Sequence, residues 1–481
     1  MDYVAIQRSG HGGFSMRLFQ TQSLEIHNSR KRRGSVLFLL SLLITTITVY
    51  VFQPIKSEVS MPLFFTIFVV MAISNIVYFK TKKKRNYLDF DTIFILIFCL
   101  MGFSTTFFYG NTILFRALFL GTGVPVSDLF INRGNLLMLI GLLGYMVGSL
   151  SVREELKENI IRVHGVINTI FISMFSVFFM VLFIAFGGLS YFRNVYIGGN
   201  DMERGMIHHV LLLVICATIV LIATELYNKK ILPSYKIGKF PVFATVIFVL
   251  LLLSVGNRTA ASMIFVPFFC IYAMFFYNLS FRKFVLFMLL GVFTMWIVQN
   301  MRADVDIGLS HPIFLVLDLT IPARQTYTAL EYVNDNGYTF GRSMLLGIVG
   351  VIPFLASFVT RGRDAEQFGS AEVLTIYSFE KNNLPELGIG LGTTIIADIY
   401  LSFGLFGVIL LMFLLGRLIS KLLLRSLSLS YNALIVLAAM LANCIFMVRA
   451  SYAHPFRYAV WALMLALGNK LVMEYMKCKR S

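Results

Sequence analysis

From Val36 to Met476 the chain repeats apolar runs of similar length, and this repetition limits the possible folds more than any other feature. A helix that crosses a bilayer needs roughly 20 predominantly apolar residues. Inside hydrocarbon, only helices and closed barrels satisfy every backbone polar group. The runs are Val36–Phe52, Met61–Phe79, Thr92–Tyr109, Asn135–Leu150, Ile167–Phe186, Ile207–Leu226, Val242–Val255, Ala260–Tyr277, Phe284–Val298, Gly404–Leu424, Ala433–Met447 and Ala459–Met476. They predict an all-α polytopic membrane protein with about 12 transmembrane helices, several close to the short limit of roughly 17 residues. Composition agrees, with a mean hydropathy of +0.80, 58% hydrophobic residues and 14% charged ones. Too few polar residues remain to cover a soluble domain.

The same pattern divides the chain. Residues 1–35 form a polar tail, expected to be disordered over Met1–Asn28, that ends in Arg30-Lys-Arg-Arg33 against the first run. This junction reads as an uncleaved signal anchor. N-terminal membrane helices fill 36–298, one large loop occupies 299–403, and C-terminal membrane helices with a short tail complete 404–481. Cytoplasmic loops retain Lys and Arg. With Arg30–Arg33 inside, the basic segments Lys80–Arg85, Arg153–Arg162, Lys229–Lys239, Arg282–Lys283, Arg417–Arg425 and Lys477–Arg480 also fall inside. Both termini are then cytoplasmic and the large loop is periplasmic. The net charge of +17 reads as topology signalling, not as a nucleic-acid surface.

Arginine departs from that bias. Outside lie two lysines, Lys56 and Lys381, against about fifteen inside, whereas the arginines divide almost evenly. The stretch Gly187-Gly-Leu-Ser-Tyr-Phe-Arg193 reads as a loop leading through Gly198-Gly199 to Arg204. A tight turn, Gly256-Asn-Arg-Thr259, carries Arg258 between two runs. The large loop holds Arg302, Arg324, Arg342, Arg361 and Arg363, and Val448–Arg457 adds Arg449, His454 and Arg457. Guanidinium groups grip phosphate or carboxylate through paired hydrogen bonds, which lysine cannot form. An anionic ligand on the outer face is therefore expected, with salt bridges to Asp304, Asp306 or Glu331 as the structural alternative.

Within the large loop, Ala323–Val333 predicts a short helix after Pro322. Met344–Phe358, interrupted by Pro353 and two glycines, predicts a re-entrant or interfacial piece. The helical pattern from Thr393 to Leu424 would be roughly 48 Å long against a core of roughly 30 Å. Its first turns, with Asp398, are expected to stand above the outer surface, and Gly404 and Gly407 to permit close helix contact. Cys99, Cys216, Cys270 and Cys444 lie in the runs and Cys478 in the tail, so no disulfide framework is indicated. HExxH, CxxC, Walker A and serine-elbow motifs are absent, so no metal or other cofactor is indicated. The lack of internal repeats argues against a transporter.

Together these features resemble the Wzy-type O-antigen and oligosaccharide repeat-unit polymerases. The likeness rests on the run pattern, the Gly-Gly-…-Arg193 segment and the Ser254-Val-Gly-Asn-Arg-Thr259 turn. The large loop ending in Gly388-Ile-Gly-…-Ala397-Asp-Ile-Tyr400-…-Phe403-Gly404 completes it. The resemblance implies a GT-C-like membrane fold and a metal-independent glycosyltransferase of the bacterial inner membrane. Such an enzyme polymerises undecaprenyl-diphosphate-linked oligosaccharide repeat units on the periplasmic face, contributing to lipopolysaccharide biosynthesis. A chain-length regulator and a flippase are the protein partners it implies, beside membrane lipid. Fixed guanidinium groups suit the diphosphate leaving group. Arg258 is the first candidate for that contact, then Arg193 and Arg204, with Arg302, Arg449 and Arg457 after them. Asp398 or His454 would accept the proton of the attacking hydroxyl. An O-antigen ligase needs the same chemistry with another acceptor. A lipid-linked oligosaccharide flippase would line its interior with polar groups. An O-acyltransferase would place a catalytic histidine deep in a span, which only His208 and His209 approach.

Overall fold

The computed structural model describes residues 29–55, 60–84, 86–104, 128–152, 165–195, 204–300, 320–352, 368–384 and 390–478, together with 355 and 359. Each of the twelve apolar runs falls on a helix. In chain order these begin with α1 (Ser29–Phe52), α2 (Met61–Lys82), α3 (Phe90–Gly102), α4 (Ile131–Ser151) and α5 (Ile170–Ala185). The short α6 (Gly188–Val195) precedes α7 (Arg204–Ile231), α8 (Lys239–Ser254), α9 (Arg258–Phe276) and α10 (Phe281–Asn300). The polar segment supplies a 3-10 turn at Ile321–Arg324, then α11 (Gln325–Asn336), α12 (Leu345–Val349) and α13 (Ser370–Lys381). The chain ends with α14 (Ile395–Leu427), α15 (Tyr431–Asn443), a 3-10 turn at Met447–Arg449 and α16 (His454–Cys478). No strand occurs among the described residues.

Among them, α1, α2, α4, α7, α9 and α14 are long and apolar enough to cross a membrane, whereas α3, α5, α8 and α15 are shorter apolar helices. The chain is thus a multi-pass membrane protein, with six full-length crossings by this measure where the runs predict about twelve. The helix expected after Pro322 is present as α11, and the apolar piece around Gly347 is the single short turn α12. The segment read as a glycine-punctuated loop is instead the helix α6. Gly187, at φ +74°, lets the chain reverse into it, and a Cβ on Gly188 would meet the Phe183 ring at 2.5 Å. The N-terminal tail through Asn28, the Thr112–Gly121 piece, Arg302, Arg361 and Arg363 lie outside the described residues.

Burial places α4 at the centre, since 94% of its apolar window is enclosed, against 22% for α1 and 28% for α2. Its partner is α14, running parallel. The contact is backbone to backbone: a Cβ on Gly148 would lie 2.0 Å from the Phe413 carbonyl oxygen, and one on Gly416 2.1 Å from that of Tyr145. Close approach between these helices therefore uses Gly148 and Gly416, not the expected Gly404 and Gly407. Gly407 relieves a contact within its own helix, where an added Cβ would meet Phe403 Cβ at 2.4 Å.

Gly404 has a different role, and it changes the shape of the site. At φ 64° and ψ −157° it breaks α14 into two segments. Ile396 and Val408, about 18 Å apart on a straight helix, both bear on Gly141 of α4. The expected straight rod rising above the surface is thus replaced by a first segment folded against the bundle. A helix break frees carbonyl groups. Here the Leu401 carbonyl accepts from the Thr339 amide at 2.9 Å and from its hydroxyl at 3.2 Å. Ser343 and Ser402 hydroxyls pair at 3.0 Å beside it.

The opposite, lysine-rich end is closed by a buried polar network. Asp91, 1% exposed, lies 3.4 Å from Lys82 and 3.7 Å from Lys84, and accepts from the Tyr145 hydroxyl at 2.6 Å. Lys82 also donates to Ser420 at 2.9 Å, joining α2, α3, α4 and α14.

Candidate active site

The break at Gly404 carries Asp398 inward. Its side chain is fully buried, Oδ2 accepts the Tyr452 amide at 2.8 Å, the Ser370 hydroxyl lies beside the carboxylate, and Oδ1 itself has no hydrogen bond of good geometry. A carboxylate is costly in such surroundings unless it is paired or put to use. Tyr452 belongs to the connection between α15 and α16, which also carries Arg449 and leads into His454 and Arg457 at the start of α16. Asp398 and His454, 56 positions apart in sequence, are thus linked through one backbone amide.

That connection is recessed. α15 has 13 residues, or about 20 Å of rise, well short of a hydrocarbon core of roughly 30 Å. The chain leaves it as turns and a 3-10 helix, with Tyr452 anchored by its hydroxyl to the Leu411 carbonyl at 3.1 Å. Irregular backbone at membrane depth is tolerated where protein encloses it or where it lines a water-filled cavity. Two such irregularities, Gly404 and 444–453, meet at Asp398.

Two cations lie in and just beyond the same connection. Arg449 and Arg457 are half-buried, and the Arg457 Nε is enclosed without a hydrogen-bond partner. Its stem reaches within 4.0 Å of the position a Cβ would take on Gly350, so the segment after α12 forms one wall. His454 opens α16 with its ring 5.4 Å from that of Tyr458. The ion pairs resolved between described residues use lysine instead. Lys381 bridges Glu331 and Asp335 at 2.8 Å each, tying α13 to α11. Bonds from Lys381, and then from the Tyr377 hydroxyl, hold the Asp335 carboxyl down at about 2. The one lysine of the large loop is thus a clasp, and Glu331 is its partner.

Sequence reasoning counted Arg324 only among the outer arginines and passed over Gln325. Arg324 and Gln325, at the join between the 3-10 turn and α11, are 1% and 0% exposed. Burial lowers the Arg324 guanidinium from its usual range to about 10. Next to them Thr326 shares a hydrogen bond of 2.9 Å with Thr394, the N-cap of the helix that carries Asp398. Both 3-10 turns pack on α3, which brings Ile321–Arg324 and Met447–Arg449 to the same side of the recess. At the rim, Arg133 lies 5.4 Å over the Tyr50 ring, and the Tyr50 hydroxyl meets that of Tyr400 at 3.1 Å.

Arg258 is the first residue of α9, after the Asn257 cap whose side chain accepts the Ala260 amide. The main packing partners of α9 are α7, α8 and α15, and α15 leads into the connection that bonds Asp398. Arg193 and Arg204 lie on α6 and at the start of α7, with side chains outside the described residues.

The site therefore combines a buried carboxylate with one idle oxygen, a histidine, and arginines held by short turns. It can accept a proton and hold an anion in a region screened from water. Among the described residues no group of three or more His, Cys, Asp or Glu side chains could hold a metal ion. Comparison with curated proteins and with solved structures finds no match. Residues 35–476 match the family model described as O-antigen polysaccharide polymerase Wzy.

Proposed function

This chain belongs to the O-antigen polysaccharide polymerase Wzy family, and from that premise we propose that it extends undecaprenyl-diphosphate-linked oligosaccharide at the recess beside Asp398. On this reading it is a GT-C-like glycosyltransferase of the inner membrane. Its termini are cytoplasmic and its recess opens to the periplasm, where a flippase delivers repeat units and a chain-length regulator limits the product.

In the reaction the bond between the reducing-end sugar and the donor diphosphate breaks. A hydroxyl of the acceptor repeat unit forms the new glycosidic bond and loses its proton. Charge grows on the departing diphosphate, and arginines fixed in a poorly solvated site stabilise it without reorganising. Arg449 and Arg457, on the stretch that bonds Asp398, would meet that charge, and Arg258, Arg193, Arg204 and Arg302 would hold the carrier phosphates. The Asp398 carboxylate accepts the proton, with His454 as the alternative acceptor.

The observation that carries this reading is the Tyr452–Asp398 hydrogen bond, which ties an idle carboxylate to the arginine-bearing connection. Its test is the surface glycan of a strain lacking this chain. Single repeats capping lipid A, restored to long chains by the wild-type protein, are expected. Uncapped lipid A would indicate a ligase instead.

A further inference from the structure

Gln325 is the first residue of α11 and has no accessible surface, yet neither its Oε1 nor its Nε2 meets a hydrogen-bond partner. The three side chains that follow it are engaged, while the Nε of the adjacent Arg324, like the Gln325 amide, is enclosed and makes no hydrogen bond. Thr326 pairs with Thr394 at 2.9 Å, Tyr327 donates to Asn135 at 2.9 Å, and Thr328 donates to the Arg324 carbonyl at 3.4 Å. An amide sealed from water with both ends idle is among the costlier things a fold can hold. An apolar side chain of that size would pack there at lower cost. Such an exception is expected where a ligand completes the pairing.

We infer that Gln325 is a substrate-reading residue whose amide pairs with two adjacent hydroxyls of a pyranose in the lipid-linked repeat unit. This rests on the polymerase reading. A primary amide presents a donor and an acceptor side by side, and vicinal hydroxyls present the complementary pair. The buried Arg324 guanidinium adjoins it, and Thr326 fixes the turn to the N-cap of the Asp398 helix. Gln325 would thus grip the sugar on the same side of the recess where the carboxylate takes up the proton. Because the amide is enclosed, the substrate must part the two 3-10 turns over α3 before this contact forms. Gln325 is then engaged after docking, where it discriminates between sugars.

The test uses wild-type and Gln325→Met proteins, made in a host lacking its own polymerase, with repeat units extracted from that host. Methionine keeps the length and removes the idle polar atoms. The variant is expected to melt, without substrate, at or above the wild-type temperature, while kcat/KM for chain extension falls roughly ten- to hundredfold. Addition of repeat units should raise the melting temperature of the wild type more than that of the variant. Periodate-treated units, whose vicinal diols are cleaved, should raise the wild-type value no more than intact units raise that of the variant. Extension at the wild-type rate by Gln325→Met, a lowered melting temperature for the free variant, or full stabilisation by periodate-treated units would each overturn the inference. Extension at equal rates by both proteins strikes the Gln325 assignment alone, whereas no extension by the wild type overturns the polymerase reading as well.

Discussion

A buried carboxylate with one working oxygen and one idle oxygen invites a substitution that separates the two. Asp398→Asn keeps an oxygen for the Tyr452 amide and removes the capacity to take a proton. Loss of a general base costs typically 10²–10⁴-fold. Asp398→Asn is therefore expected to reduce polymerisation at least a hundredfold at unchanged membrane protein level, whereas Asp398→Leu should also lower that level by releasing the connection. Near-normal chains from Asp398→Asn, with loss in His454→Gln, would move the base to His454. The arginines divide similarly by geometry. Arg258 is fixed by the Asn257 cap, so its backbone cannot follow a changed side chain. Charge-assisted bonds contribute about 1.5–3 kcal/mol each, so Arg258→Lys should cost on the order of tenfold in polymer yield if the fork grips phosphate. Full activity in Arg258→Lys with reduced protein in Arg258→Ala would mark it as structural. These residues were legible because arginine on the outer face defies the positive-inside bias. Gln325 and the burial of Arg324 beside it were not, because burial of a polar pair after a proline turn depends on α3 and α14 closing over it. The chain neighbours of the pair carry no sign of that.

Helices were read more easily than their ends and bends. The run periodicity located each of the six described helices long and apolar enough to cross a membrane, and Pro322 marked the start of α11, because apolar length and proline geometry act locally. Gly404 in sequence looks like a packing glycine. Its left-handed φ depends on Thr339 and Ser343 waiting to receive the freed carbonyl and hydroxyl. The glycines that do bring helices together make a direct prediction. Gly148→Ala and Gly416→Ala place a methyl about 2 Å from a facing carbonyl oxygen. Backbone cannot yield as a side chain can, and overpacking costs typically 1–3 kcal/mol or more. Each is expected to lower the melting temperature and the folded yield, while Gly468→Ala, with nothing within 4 Å, should be silent. Equal stability for all three would refute the close α4–α14 contact. The α11–α13 clasp adds a pH dependence. Asp335 is held below its unfolded value of 3.8, so its contribution is present above that pH and fades as the pH falls through about 2. The pair is exposed and screened, so the effect on overall stability should be small. Loosening of α13, followed by its proteolysis at low pH, would report it.

At the scale of the whole molecule, the two ends differ in kind. Lysines at one end are absorbed by Asp91 and its hydroxyl partners, whereas at the other end Arg449 and Arg457 stand beside a recess without a carboxylate bridge between described residues. Composition predicted the membrane, and lysine partition predicted which end faces the cytoplasm. Neither revealed the recess, because α15 is too short to reach the far surface only when seen against its neighbours. The polymerase reading requires the recess to face the periplasm, since a flipped lipid-linked substrate is presented there. Asn334 is exposed near the end of α11, and Ser428 caps α14 at the lysine-rich end, so cysteines at these positions report opposite sides. The native Cys216, Cys270 and Cys444 are buried, which limits background once Cys478 and the half-buried Cys99 are replaced. An impermeant thiol reagent added to intact spheroplasts is expected to label Asn334→Cys and to reach Ser428→Cys only after lysis. The reverse result would put the arginines and Asp398 on the cytoplasmic side. There the lipid-linked units would be met before flipping, and a periplasmic polymerase would be excluded whatever the activity of the point variants.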